Sequence, residues 1–230
     1  LSSDVLFVLH GSPDPAYAQA AASFMQAWQR YAPAISATLC FLEHQPPLLS
    51  ERMQQADVST CVVPLFLNRG GHVRRDIPHL VAGRAEVRVT EALTDADAIC
   101  AVMLARLEAL SHTIDYLLLY SHGSREDRAT VAELAGALRA HQPLPVDVVL
   151  ASDGEPGLAA ALQRAAAMDA AAPAILPHFL FDGRWRQRLM QQLEVLAESQ
   201  PFERVEIAAP LGEHPAMFAL IERRIDQCRI

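Results

Sequence analysis

An α/β fold built from two tandem copies of one open parallel-sheet unit is what this sequence predicts, on three observations. Its strand candidates are short apolar runs without polar alternation, such as Val5-Leu6-Phe7-Val8-Leu9, the mark of strands buried on both faces. A turn-forming break and then helical apolar spacing follow most of these runs, as in βα units. Three motifs also recur in the second half at nearly one spacing. His10-Gly11-Ser12 pairs with His122-Gly123-Ser124, Pro46-Pro47-Leu48 with Pro156-Gly157-Leu158, and Pro64-Leu65-Phe66-Leu67 with Pro177-His178-Phe179-Leu180. The copies meet near 111–113, which gives expected domains 1–112 and 113–230. Each copy is expected to hold a mainly parallel four-stranded sheet flanked by helices, with an active-site cleft between the two.

Taken in order, residues 5–9 form the first strand, broken by His10-Gly11-Ser12-Pro13. Ala20, Phe24, Ala27, Trp28 and Tyr31 lie at helical spacing, so a helix is expected over 16–31, stopped by Pro33. A strand over 36–42, a short helix over 48–56 and a buried strand over 59–67 follow. A helix over 74–82 is expected to carry Pro78 in its first turn or as a kink. A strand over 85–90 precedes a helix over 95–110, whose Asp95 and Asp97 suit its N-terminus. The second copy repeats the order: strands over 116–120, 146–150, 174–181 and 204–208, and helices over 127–140, 157–168, 184–199 and 216–230.

The 230 residues are 51% hydrophobic, enough for two small cores. No apolar run reaches the roughly 20 residues of a membrane span, and no basic-then-apolar leader is seen, so no membrane partner is expected. Cys40, Cys61, Cys100 and Cys228 form no CxxC pair and stand in apolar or helical contexts. They read as buried reduced thiols, and a cytoplasmic protein is expected. The net charge is −8 without a basic run, which argues against a nucleic-acid partner. Arg69, Arg74 and Arg75 still gather beside one motif and suit a small anionic ligand.

The chemistry concentrates at strand ends. In an open parallel sheet ligands bind at the carboxyl ends of strands. His10, Glu43, the segment from Asn68 to His72, His122 and Asp153 all fall there. Alone, His10-Gly11-Ser12 reads as a strand-to-helix turn with Ser12 as helix cap. His72 alone, after Gly70-Gly71, reads as a loop residue. Together they place two imidazoles on adjacent strand tips, a pair able to hold a metal ion. Glu43 stands at a third tip, either as ligand or base, or as a solvated turn acid. His44 reads as surface. Asp76 either pairs with an arginine or orients His72 at i,i+4 spacing. An Arg-His-Gly phosphatase motif, a GxGxxG and a P-loop are all missing.

Three segments carry a family resemblance: Leu9-His10-Gly11-Ser12, Phe41-Leu42-Glu43 followed by Pro46, and Val63 through Phe66 to Gly70-Gly71-His72-Val73-Arg74-Arg75-Asp76-Ile77-Pro78. The chain resembles the sirohydrochlorin chelatases of class II in their long, two-repeat form. Pro210-Leu211-Gly212-Glu213-His214-Pro215 is similar to that family's ending. The resemblance implies a metal-inserting lyase that places cobalt or ferrous iron into sirohydrochlorin, for cobalamin or siroheme biosynthesis. It implies His10 and His72 as metal ligands and catalytic pair, and Glu43 at the neighbouring strand tip is expected as a third catalytic group. Ser12, Arg69, Arg74, Arg75, His122 and Trp185 are expected to line the substrate site, with Arg125 and Arg184 as further cleft cations. No permanent cofactor is expected. The ion is a substrate, Co2+ or Fe2+ with Ni2+ as a further candidate, and the tetrapyrrole is the other. A monomer is expected rather than a homo-oligomer, because the fused copies complete each other.

The second copy departs from the pattern. Trp185 stands at the position of His72 and Leu189 at that of Asp76. The second metal site is thus expected to be incomplete, with Trp185 offering a stacking surface to the macrocycle. His178, inside the expected third strand, faces either the cleft or the core. A carrier that binds a tetrapyrrole or metal without catalysis is the alternative function. A partner-binding scaffold would leave the paired histidines unexplained.

Overall fold

The computed structural model describes residues 4–55, 59–110, 113–196, 202 and 204–228, with the side chains of residues 55, 125–127 and 155 outside that description. Two four-stranded parallel sheets carry the chain, as the apolar runs predict. Strands β1 (Asp4–Leu9), β2 (Ala37–Phe41), β3 (Thr60–Pro64) and β4 (Val87–Val89) form the first, in the order β2-β1-β3-β4. Strands β5 (Tyr116–Ser121), β6 (Val146–Leu150), β7 (Pro173–Pro177) and β8 (Glu206–Ile207) form the second, in the order β6-β5-β7-β8. The registers correspond: Leu9 faces Phe41 in the first sheet and Ser121 faces Leu150 in the second.

The helices are α1 (Pro15–Tyr31), α2 (Leu49–Gln55), α3 (Ile77–Val81), α4 (Ala96–Glu108), α5 (Arg125–His141), α6 (Gly154–Ala167), α7 (Arg184–Leu196) and α8 (Pro215–Cys228). None of the described helices is long and apolar enough to cross a membrane. Asp14, not Ser12, caps α1: its carboxylate accepts the N–H of Ala16 at 3.0 Å, and Pro15 opens the first turn. The Ser12 hydroxyl instead accepts the N–H of Asp14 at 3.1 Å. The helix expected from 74 begins as a single π-turn over His72–Asp76, with α3 starting behind it at Ile77 and Pro78 in its first turn. Strand β7 ends at Pro177, so His178 lies just past the strand. It is buried there, its Nδ1 3.1 Å from the Ser121 hydroxyl.

The compact units cross the sequence copies. One holds Leu1–Thr94 with Gly212–Ile230, the other Asp95–Leu211. Each copy supplies one whole sheet, while its last helix falls in the other compact unit. Helix α4 packs on α5 and β7, and α8 packs on α1 and β3. In the first unit Phe24 and Trp28 of α1 meet Phe7 of β1 edge-on, at ring separations of 6.2 and 5.0 Å. Phe218 of α8 closes the cluster, 5.4 Å from Phe24 and 5.9 Å from Trp28.

A disulfide joins Cys61 at the start of β3 to Cys228 at the end of α8, with Cα atoms 5.8 Å apart. This corrects the reading of four reduced thiols, and the thiol argument for a cytoplasmic protein now rests on Cys40 and Cys100 alone. Spacing could not show the pair, because 167 residues separate its partners. Burial pushes the Cys40 thiol up to about 11, opposed by Arg52 and aided by Asp4, so it stays protonated and unreactive at neutral pH.

Two predictions follow from this packing. A thiol assay on the unfolded chain should count two free thiols before reduction and four after; four before reduction would disprove the disulfide. Phe218→Ala removes a ring that is 4% exposed and should cost about 3–5 kcal/mol in urea unfolding. A loss below about 1 kcal/mol would show that α8 is not part of the first core.

Candidate metal centre

Strand order brings the site together. Strand β1 lies between β2 and β3, so the residues just past these three strands share one sheet edge. The pairing of β1 with β2 runs two residues beyond the strands: Leu42 N–H donates to Leu9 O, and Glu43 N–H to His10 O, each at 3.0 Å. On the other side Leu65 N–H donates to Val8 O at 2.9 Å. His10 and Glu43 are thereby held as neighbours by backbone bonds.

Gly11 makes the close approach possible. Its φ is +93°, and a Cβ there would collide with the backbone oxygen of Glu43. The chain then enters the turn before α1. Tyr17 on that helix sets its phenol against the Gly11 backbone. Burial pushes this phenol up to about 12, opposed by the hydrogen bond with Gly11, so it stays neutral.

His72 arrives by a different device. After β3, the Asn68 side chain accepts the Gly70 N–H at 3.0 Å and folds the loop back. The π-turn then places the His72 and Asp76 side chains together, with Nδ1 of His72 donating to Oδ2 of Asp76 at 2.7 Å. Such single π-turns recur at functional sites. Ile77, the next residue, is fully buried against Val8, Val62 and Leu49 and pins the turn to the core. Its burial contributes about 2–3 kcal/mol.

The outcome is a cluster of His10, Glu43 and His72 whose ligand atoms lie within 4.8 Å of one another. Among the described residues it is the only group of three or more His, Cys, Asp or Glu so placed. Nε2 of His10 is 3.0 Å from Oε1 of Glu43, and the His10 and His72 rings are 4.6 Å apart. Both imidazoles use Nδ1 for orientation, His10 on Gly11 O at 2.8 Å and His72 on Asp76. That leaves Nε2 of each as the donor toward an ion, the usual division of labour in histidine ligation.

The other expected residues fall around this core. Arg69 donates from Nε to Thr94 Oγ1 at 3.2 Å and stands 3.9 Å from Glu91, which also faces Arg224 at 3.8 Å. Arg74, Arg75 and Arg184 are exposed, and the side chain of Arg125 lies outside the described residues. His44 is exposed, as read from the sequence, yet its Nε2 is 3.6 Å from Oε2 of Glu43. Its adjacency to Glu43 was the available signal. Tyr17 and Gln45, whose Oε1 accepts the Ser12 N–H at 3.2 Å, gave no signal because each acts on backbone.

The second unit keeps the frame without the ligands. Gly123 repeats φ +93°, and Ser152 N–H donates to His122 O at 3.0 Å, so Ser152 occupies the place of Glu43. Its hydroxyl donates to Gly123 O at 3.1 Å. Asp153, one residue on, faces Arg128 at 3.5 Å. Trp185 stacks on Phe179 at 4.5 Å, 2° from parallel, and donates from Nε1 to Phe181 O at 2.7 Å. Leu189, in the place of Asp76, is fully buried. One face of the Trp185 ring is thus covered by the chain itself.

This fold and this three-residue site define a two-copy α/β protein of the chelatase type. The family model CbiX matches residues 4–110 and 116–228, and the chain belongs to that family. It is 23% identical to a sirohydrochlorin ferrochelatase of Priestia megaterium over 240 residues, covering 96% of this chain and 88% of that one. Its fold is similar to that of the sirohydrochlorin chelatase SirB from Bacillus subtilis subspecies spizizenii in complex with cobalt. There the TM-score is 0.78 at 19% identity, covering 99% of this chain and 95% of that one. Against SirB from Bacillus subtilis with Fe3+ the TM-score is 0.80 at 20% identity, covering 99% and 96%.

Asp76→Asn keeps the size of the side chain but removes the charge that holds His72 Nδ1–H. It should weaken Co2+ binding about 10–100-fold in a calorimetric titration, with an unchanged far-UV spectrum. Unchanged affinity would show that Asp76 does not orient His72.

Proposed function

We propose that this protein inserts a divalent metal ion, Co2+ or Fe2+, into a sirohydrochlorin-type tetrapyrrole. The observation that carries it is the open cluster of His10, Glu43 and His72 in a chain of the CbiX family. A site that hands its metal on needs few protein ligands and free coordination positions, and three ligands on one side provide both. The names of the relatives, a ferrochelatase and a chelatase with cobalt, support the same reading.

The reaction exchanges one ion for two protons. The ion is held by Nε2 of His10 and His72 with a Glu43 oxygen. Two pyrrole nitrogens lose their protons as they take the ion. Nε2 of His10 and the Glu43 carboxylate, 3.0 Å apart, regain their free lone pairs when the ion leaves and accept the protons one at a time. Asp76 keeps His72 in the tautomer that presents Nε2 throughout. Arg69, Arg74 and Arg75 offer positive charge beside the site for the carboxylates of the macrocycle. Imidazole and carboxylate accept several first-row ions, so supply and geometry choose between cobalt and iron.

The test is anaerobic mixing of the protein with sirohydrochlorin and Co2+ or Fe2+, followed in the visible spectrum. Acceleration over the uncatalysed insertion is expected, with His10→Ala and His72→Ala each losing at least about 100-fold in kcat/KM. Tight tetrapyrrole binding without acceleration would establish the carrier instead. A larger loss in His122→Ala than in His10→Ala would move the site to the second copy.

A further inference from the structure

The Glu43 carboxylate faces two imidazoles, one with each oxygen. Oε1 lies 3.0 Å from Nε2 of His10, within the three-residue cluster. Oε2 lies 3.6 Å from Nε2 of His44, which stands outside that cluster. Two ligand atoms on one tetrahedral ion with bonds of about 2.0–2.2 Å stand roughly 3.3–3.5 Å apart. The Glu43–His44 pair is therefore within a few tenths of an ångström of chelating distance. Both side chains are exposed, at 48% and 41%.

The backbone turns His44 toward Glu43. His44 adopts φ +69°, a left-handed conformation that residues with a Cβ rarely take. Two bonds close the turn around it: Gln45 N–H donates to Glu43 O at 2.9 Å, and Gln45 Oε1 accepts the Ser12 N–H at 3.2 Å. The His44 ring ends 6.2 Å from that of His10.

We propose that Glu43 and His44 form a second, outer station for a divalent cation that takes nitrogen and oxygen ligands. Glu43 is the shared ligand. An incoming ion exchanges two waters for Glu43 Oε2 and His44 Nε2, and then passes to His10 and His72 without releasing the carboxylate. Nothing is oxidised, and the ion carries its charge from one ligand pair to the next. This inference rests on the reading of His10, Glu43 and His72 as the metal site.

Co2+ is titrated by calorimetry and by its visible absorption into four proteins: wild type, His44→Asn, the double variant His10→Ala/His72→Ala, and the triple variant that adds His44→Asn. Asparagine tolerates the left-handed backbone, so the loop keeps its path while the imidazole is lost. The double variant should retain a weak Co2+ site that the triple variant loses. In the insertion assay His44→Asn should raise the KM for Co2+ roughly tenfold, the lower end for loss of a group supporting a metal site, without moving the KM for the tetrapyrrole. Equal Co2+ binding by the double and triple variants, no binding by either, or an unmoved KM for Co2+ would each overturn the outer station. The binding arm uses Co2+ alone. If wild type accelerates no insertion and the double and triple variants still differ, the function fails while the station stands.

Discussion

Parallel pairing of β1 with β2 on one side and β3 on the other is the constraint the rest of the first unit depends on. Neighbouring parallel strands end at one level, and here the pairing continues past the β2 strand end through Glu43 N–H to His10 O. That bond requires Gly11, because any Cβ there would meet the Glu43 backbone. His10 and Glu43 are thereby held side by side by backbone bonds. The third member of the cluster is placed by a side-chain device, the His72–Asp76 pair on a π-turn pinned by Ile77.

Comparison of the units separates scaffold from chemistry. Both carry glycine at φ +93° after the first histidine, and both bond the next strand's extension to that histidine's carbonyl. The side chains laid on this frame differ. Glu43 corresponds to Ser152, which bonds back to Gly123, and the polar pair His72–Asp76 corresponds to Trp185 and the buried Leu189. Phe66 lies 6.1 Å from the His72 ring, whereas Phe179 stacks on Trp185 at 4.5 Å. Where the position no longer presents an imidazole, a half-buried indole packs on the core instead. A polar pair in one unit is replaced by area removed from water in the other.

The chain also binds its ends together. Each unit takes one helix, the last of the other sequence copy, so neither copy contains the whole of the core it begins. Phe218 fills the aromatic cluster against Phe7, Phe24 and Trp28, and Cys228 is bonded to the first residues of the strand that leads to His72. Stability of the first unit is thus tied to residues more than 150 positions downstream of β3.

The sequence by itself determined the parallel class, the repeat and the strand-end positions of His10, Glu43 and His72. Buried strands must be apolar on both faces, glycine must stand where a Cβ cannot, and ligand side chains must follow strand ends. Each requirement acts over a few residues and leaves a local mark, as in Val5 to Gly11. Asp76 was legible for the same reason, since i,i+4 partners meet wherever the backbone coils. Only the tertiary structure decided which helix covers which sheet, the Cys61–Cys228 bond, the cap at Asp14 and the direction of His44. The first two depend on contacts between distant segments that no spacing encodes. The last two depend on backbone torsions: a cap competes with its neighbour two residues away, and the left-handed turn at residue 44 swings an apparent surface histidine onto the carboxylate of Glu43.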